Sequence, residues 1–196
     1  MKTVATIQAR MSSERLPGKV MRNAGGQPLL LTLIERLRRS RKIDDVAIAT
    51  STSKHDDVIE EFAKSIGCTV IRGNEYDVLS RVNHTLKTLK VDLHVECFGD
   101  SVLVSSELVD EFIEYFLENQ ERLDFLSPAR LPGILIGSEF NVYWANTLSQ
   151  ANDLLDPQDP FRQHVGFNIA RFPDIFRSQY LSVPPEFEGN GVALEV

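Results

Sequence analysis

From Thr3 to Ser127 two hydrophobic periods take turns, and that alternation restricts the chain to few folds. Thr3–Gln8 is a short apolar, β-branched run that ends in a loop containing Pro17 and Gly18, the signature of a buried strand. Leu29, Leu30, Leu33, Ile34 and Leu37 follow at helical spacing behind Pro28, a residue tolerated where a helix begins. Asp45–Thr50 predicts a second strand, and Asp56–Ile66 an amphipathic helix stopped by Gly67. A third strand (Cys68–Ile71), a third helix (Asp77–Leu89), a fourth strand (Val91–Cys97), a fourth helix (Ser105–Asn119) and a short fifth strand (Leu123–Ser127) complete the series. Such regularity implies an α/β domain: a three-layer sandwich around a mostly parallel, Rossmann-like sheet. Sheets of this kind take ligands beyond the carboxyl ends of their strands. Two loops therefore matter most, Ala9–Gln27 after the first strand and Phe98–Leu103 after the fourth.

Beyond residue 128 the pattern loosens. Ile134–Tyr143 suggests one or two strands, Leu148–Leu155 and Phe161–Phe172 read as helical, and Ile175–Leu181 as extended. The expectation is one domain over residues 1–196, with 128–181 forming an insertion or dimerisation element packed on the sheet. Trp144 and the phenylalanines are expected in the core. Cys68 and Cys97, without metal-ligand spacing, are expected as buried reduced thiols. His55, His84 and His94 are read as structural or surface residues.

Charge is unevenly spread. The chain carries −7, yet residues 1–42 hold ten Lys/Arg and two acids, a local balance of +8. The acidic whole argues against general nucleic-acid binding, and the basic beginning points to a site for a compact anion. Arg36 to Lys42 are equally well explained as a solvated helix face. Arg10, Arg15 and Lys19 are not, because they fall in a loop. No apolar run reaches the roughly 20 residues of a membrane helix, and the short alternating N-terminal stretch does not read as a signal peptide. A cytoplasmic protein without membrane partners is expected.

The loop Gln8–Lys19 (QARMSSERLPGK) sets three cations beside Ser, Pro and Gly. Gly18 permits close backbone approach to a ligand and Pro17 stiffens the turn. Arg offers a planar fork to phosphate oxygens and Lys a point charge. The pattern is neither a Walker A loop nor a GxGxxG fingerprint. Phosphate binding and a solvated basic loop both remain open on these residues alone. Asp100, after an apolar strand and beside Gly99, suits Mg²⁺, which takes one or two carboxylates plus phosphate oxygens. It suits a self-stabilised turn equally well.

The same loop (IQARMSSERLPGKV), followed by GGQPLL, IERL, IATSTS, RGNEYDVLSR, FGD and FRQHV, resembles the cytidylyltransferase family. That family includes CMP-Kdo and CMP-neuraminate synthetases and spore-coat polysaccharide biosynthesis protein F-like proteins. The resemblance implies a nucleotide-diphospho-sugar transferase type of fold. It also implies a nucleotidyltransferase that joins a 2-keto sugar acid to CMP from CTP, releasing pyrophosphate, in surface polysaccharide biosynthesis. It assigns Arg10, Arg15 and Lys19 to the CTP phosphates and the backbone near Ala9 to the base. Arg72, Asp77 and Arg81 would shape the nucleotide and sugar site, Asp100 would bind Mg²⁺, and a homodimer is implied. Arg10, Lys19 and Asp100 are thus the expected catalytic set.

Departures from that pattern are specific. Ser101-Val102 replaces the usual Cys-Pro or Glu-Pro after Gly99-Asp100, and Glu96 stands where the family often has a basic residue. The sequence ends at Leu194-Glu195-Val196, where a late strand carrying a second metal carboxylate is usual. Either that carboxylate lies further on, or Glu195 substitutes, or the metal site is incomplete. FRQHV also replaces the commoner REHV, leaving Arg162 and His164 open between sugar contact and helix structure. Two alternatives remain: a catalytically degenerate nucleotide-binding homologue, and a nucleotidyltransferase using another NTP with a sugar phosphate.

Overall fold

The computed structural model describes residues 1–13, 16–128 and 133–189. Among these residues the central sheet has seven strands. In chain order these are β1 (Thr3–Gln8), β4 (Asp45–Ser51), β5 (Thr69–Gly73), β6 (Leu93–Phe98), β7 (Phe125–Pro128), β8 (Phe140–Trp144) and β9 (Ser178–Leu181). A two-stranded ribbon, β2 (Asn23–Ala24) with β3 (Gln27–Pro28), precedes the first helix. The sheet order is β5-β4-β1-β6-β8-β7-β9. The first four neighbours run parallel, β8 is antiparallel to both β6 and β7, and β9 is parallel to β7.

Helices cover both faces, giving the three layers that the alternation implied. α1 (Leu29–Leu37), α2 (Asp57–Ser65) and α4 (Ser106–Glu118) bury Leu30, Leu33, Ile34, Ile59, Phe112 and Phe116 against Ala5, Ile7, Ile48 and Val95. α3 (Val78–Leu89), α5 (Ala145–Leu154) and the short α6 (Phe167–Ala170) bury Leu79, Val82, Leu148 and Ile169 against Val4, Ala47, Ala49 and Phe125. The two lists of strand residues alternate along β1 and β4, because successive side chains leave a strand on opposite faces. Local signals set the helix ends. Ser105 accepts from Leu108 N at the start of α4, Asp77 accepts from Ser80 N at the start of α3, and Gly67 beyond α2 sits at φ +60°.

Residues beyond 128 differ from expectation. β8 lies between β6 and β7 in the middle of the sheet, and β9 forms its edge, so this region completes the sheet instead of packing onto it. The strand expected within Ile134–Tyr143 is β8 at its end, and the segment before it bears an isolated bridge, Ile134 to Glu188. Phe161–Phe172 is not one helix but a 3₁₀ turn (Pro160–Gln163) followed by α6, with Gly166 between them. Phe161 and Phe167 are 45% and 50% exposed, against the expectation that all phenylalanines are core. Cys68 and Cys97 are buried free thiols whose pKa values burial pushes up. His94 is wholly buried, bonded through Nε2 to Thr6 Oγ1 at 2.7 Å, and burial drives its pKa down to about 3. His55 and His84 are exposed. None of the described helices is long and apolar enough to cross a membrane.

Phe140 is fully buried in β8 and stacks edge-on with Phe112 of α4 at a 5.2 Å centroid distance. Phe140→Ala is expected to cost about 3–5 kcal/mol of global stability, the usual range for emptying such a site. Urea unfolding followed by far-UV circular dichroism checks this. A loss below about 1 kcal/mol would mean that β8 is peripheral to the cooperative core.

Candidate active site

The loop after β1 is pinned before it reaches the crevice. Asp56, 1% exposed, accepts Met11 N at 2.7 Å through Oδ1, while its Oδ2 accepts both Ser51 Oγ and Ser51 N. One carboxylate therefore ties the start of the loop to the end of β4. Gly18 N closes the loop onto Met11 O at 2.9 Å, and Gly18 sits at φ +70°, a conformation that favours glycine. The turn that follows (Lys19–Met21) aims Lys19 back across the sheet edge. Gly99 matters for a different reason. A Cβ there would stand 2.7 Å from Gln8 O, so only glycine lets the β6 loop lie against β1.

Between these loops lies a cavity of about 470 Å³ lined by Gln8, Arg10, Ser13, Lys19, Val20, Val78, Arg81, Phe98, Gly99, Asp100, Gln163 and His164. It opens at the carboxyl ends of β1 and β6, where a parallel sheet takes its ligands. Lys19 Nζ meets Asp100 Oδ2 at 2.5 Å, with the two side chains 11% and 22% exposed. Arg81 reaches the same cavity from α3 although it is 2% exposed. Its Nη1 donates to Asn74 O at 2.7 Å and Glu75 O at 3.2 Å, while Nε has no partner among the described residues. Burial, reinforced by the nearby positive charge of Arg10, lowers the Arg81 pKa to about 10. A buried guanidinium with another close by is a costly arrangement that an anion would relieve.

The cavity gathers Arg10, Lys19, Arg81 and Asp100 from the expected set and leaves others out. Arg72 is a correction. It turns away to α2 and the end of β4, donating to Ser51 O at 2.8 Å, Ser53 O at 2.7 Å, Asp57 at 2.6 Å and Glu60 at 2.7 Å. As the penultimate residue of the edge strand β5, it serves the nearest carboxylates and open carbonyls. Asp77 likewise works for the fold: besides capping α3, it accepts Arg162 Nε at 2.9 Å. Arg162, 7% exposed, also binds Asn152 Oδ1 at 2.7 Å, which makes it a link between α3 and α5 and not a cavity residue. Ala9 is buried and spends its N–H on Ala49 O at 3.4 Å. Arg15 lies outside the described residues, as does Glu195.

Gln8, Ser13 and Gln163 line the cavity without having been singled out from the sequence. Gln8 had a legible signal: it is the last residue of the first strand, on the same face as Thr6. Gln163 had none, because its placement depends on the 3₁₀ turn. A second chamber of about 540 Å³ shares Gln8, Phe98, Gln163 and His164 with the first and extends to Glu96, Asn141 and Gly166.

A mostly parallel sheet with a cationic crevice at its carboxyl edge and one carboxylate facing the cations is the design of an α/β nucleotidyltransferase. The sequence comparison makes this specific. The family model described as cytidylyltransferase matches residues 4–189, and the chain belongs to that family. It is 35% identical over 197 residues to an uncharacterized protein of Methanocaldococcus jannaschii, covering all of this chain and 78% of that one. It is 33% identical over 185 residues to the spore coat polysaccharide biosynthesis protein SpsF of Bacillus subtilis, covering 92% and 75%. A 3-deoxy-manno-octulosonate cytidylyltransferase of Chloroherpeton thalassium is 31% identical over 121 residues, covering 61% of this chain and 48% of that protein. Among solved structures, a cytidylyltransferase from Leptospira borgpetersenii superposes with a TM-score of 0.90 at 29% identity, covering all of this chain and 81% of that one. The enzyme is a CTP-dependent nucleotidyltransferase.

The two arginines that separate on folding give a direct contrast. Arg10→Ala is expected to weaken CTP binding at least about tenfold, the loss of one charge-assisted contact. Arg72→Ala is expected to lower stability by about 1–2 kcal/mol with CTP affinity within twofold of wild type. Isothermal titration and thermal unfolding of both variants check this; the reverse pattern would restore Arg72 to the site.

Proposed function

We propose that the enzyme activates a 2-keto sugar acid as its CMP derivative, for surface polysaccharide synthesis. The observation that carries this is the single cavity in which Arg10, Arg81 and Lys19 converge on the side of Asp100, with a second chamber sharing its wall. A triphosphate fits the cationic chamber by charge. A sugar fits the adjoining one by size and lining. The names of SpsF and of the 3-deoxy-manno-octulosonate cytidylyltransferase support a carbohydrate acceptor.

In this reading the phosphates displace Lys19 from Asp100. Lys19 then neutralises a phosphate oxygen, and Arg10 and Arg81 hold others in forked geometry. The acceptor hydroxyl attacks the α-phosphorus, an oxygen–phosphorus bond forms, and the bridging bond to the β-phosphate breaks to release pyrophosphate. His164, on the wall common to both chambers, would take the hydroxyl proton. The cations offset the charge that grows on the leaving group, which is where preorganised electrostatics contribute most.

Asp100 fits a magnesium ion that arrives with the nucleotide. It is a mostly buried carboxylate on the cavity wall, 22% exposed, and no other acid lines that cavity among the described residues. No cluster of three candidate ligands occurs among them either, so phosphate oxygens would supply the rest of the coordination. When bound, Mg²⁺ would offset charge at the α-phosphate. We further propose a homodimer, supported by the exposed, mutually close rings of Phe161 and Phe167, 6.1 Å apart. A cytoplasmic setting, where CTP is made, accords with the same reading.

Pyrophosphate release from CTP with a panel of 2-keto sugar acids tests the proposal. Turnover is expected with at least one acid, abolished by chelation of Mg²⁺ and reduced about 10²–10³-fold by Asp100→Ala. Release that persists undiminished in Asp100→Ala, or that occurs only with sugar phosphates, would overturn it.

A further inference from the structure

The wall of the second chamber contains a carboxylate with no solvent-exposed surface. Glu96 of β6 is fully buried, opposite Thr6 on one side and Asn141 on the other. Its Oε1 accepts Gln8 Nε2 at 2.6 Å, and its Oε2 accepts Asn141 Nδ2 at 2.8 Å. Gly166 N reaches both oxygens, at 3.3 and 3.1 Å. A Cβ at residue 166 would collide with Glu96 Oε2, so the break between the 3₁₀ turn and α6 is shaped to this carboxylate. Burial pushes the Glu96 pKa above the ordinary carboxylate range, and the donors Asn141, Gly166 and Gln8 offset this only in part.

A carboxylate held by three donors has consequences for the two amides. Gln8 Nε2 and Asn141 Nδ2 both face it, so the two side-chain amides turn their NH₂ groups towards its oxygens. Their carbonyl oxygens then face the other way. Among the described residues neither Gln8 Oε1 nor Asn141 Oδ1 accepts a protein hydrogen bond, neither is an orphaned buried atom, and both side chains line the chamber. The rest of the wall includes the rings of Phe98, Phe125, Phe167 and Tyr180. Flat apolar rings with a few fixed acceptors suit a ligand that has C–H faces and hydroxyl hydrogens, which is a carbohydrate.

We propose that this chamber is the acceptor subsite and that Gln8 and Asn141 read the hydroxyls of the sugar's distal end. Glu96 is a positioning residue: it touches no ligand, but it fixes which atom each amide presents. This rests on reading the cationic cavity as the CTP site, since the shared wall of Gln8, Phe98, Gln163 and His164 sets acceptor beside nucleotide. In a 2-keto acid the carboxylate is adjacent to the reacting anomeric carbon. It therefore falls at the junction with Arg10 and Arg81, while the hydroxylated tail reaches the amides. A phosphate at the tail would set its oxygens against the acceptor oxygens of both amides, so sugars phosphorylated there are excluded.

The test uses the full chain, ¹⁵N-labelled, with the Gln8 and Asn141 side-chain amide signals assigned. The probes are 3-deoxy-manno-octulosonate, N-acetylneuraminate and D-mannose, titrated with and without CTP. At least one probe is expected to shift both amide signals in wild type, and to bind about tenfold more weakly in Glu96→Gln, whose own amide signals move in the absence of sugar. CTP affinity, measured separately, is expected to change less than twofold. Asn141→Ala carries the same expectation should Glu96→Gln prove unstable. The proposal is overturned if no probe shifts these amides, or if Glu96→Gln leaves probe binding unchanged. Failure of wild-type protein to bind CTP would sink the nucleotide site by a separate measurement, leaving the amide shifts to judge the subsite.

Discussion

Lys19 and Asp100 can meet because β1 and β6 are parallel neighbours. Parallel pairing brings the carboxyl ends of both strands to one edge, so the loop after each strand opens into the same crevice. The cation comes from one loop and the carboxylate from the other. Gly99 allows the two loops to touch, Asp56 keeps the first from swinging free, and Gly18 reverses its direction. Replacing any of these would not remove charge from the site; it would move the charges apart. The pair is 11% and 22% exposed, sheltered enough for its field to matter and open enough for a polyanion to enter between its members.

The same edge carries a second, less visible arrangement. On the face of the sheet under α3 and α5, polar residues follow one another across and along the strands: Thr6 with His94, then Gln8 with Glu96 and Asn141. A polar seam in a sheet interior is expensive unless each member is paired. Thr6 Oγ1 and His94 Nε2 pair with each other, while His94 Nδ1, on a ring kept neutral by burial, has no partner among the described residues. One step nearer the edge, Glu96 gathers two amides and a backbone N–H and leaves their carbonyls facing the chamber. Along the seam the polarity thus turns from wholly buried at His94 to chamber-facing at Gln8 and Asn141.

Much of the first half was legible because local signals and tertiary demands agree there. The β1 and β4 strands, the α1, α2 and α4 stripes, the Ser105 and Asp77 caps and the left-handed Gly67 each needed only neighbours in sequence. Arg10, Lys19 and Asp100 were legible for a topological reason, since parallel sheets expose the ends of exactly such strand–loop junctions. Arg72 was misread because a basic residue at a strand end looks the same whether it faces a ligand or the carboxylates of the next helix. Only the position of β5 at the sheet edge decides between them. The place of β8 in the sheet was obscured for the complementary reason: its partner β6 is distant in sequence and it runs against the parallel majority. The role of Glu96 was equally hidden, since it depends on Gln8, Asn141 and Gly166 arriving from three different elements.

The central claim is that one crevice holds the nucleotide by its phosphates. The most direct measurement is a crystal structure with a non-hydrolysable CTP analogue and Mg²⁺. The account predicts phosphate oxygens within hydrogen-bond reach of Arg10, Arg81 and Lys19, with the Lys19–Asp100 contact broken and Asp100 on the metal. A nucleotide bound with its phosphates away from these residues, and that ion pair intact, would contradict it.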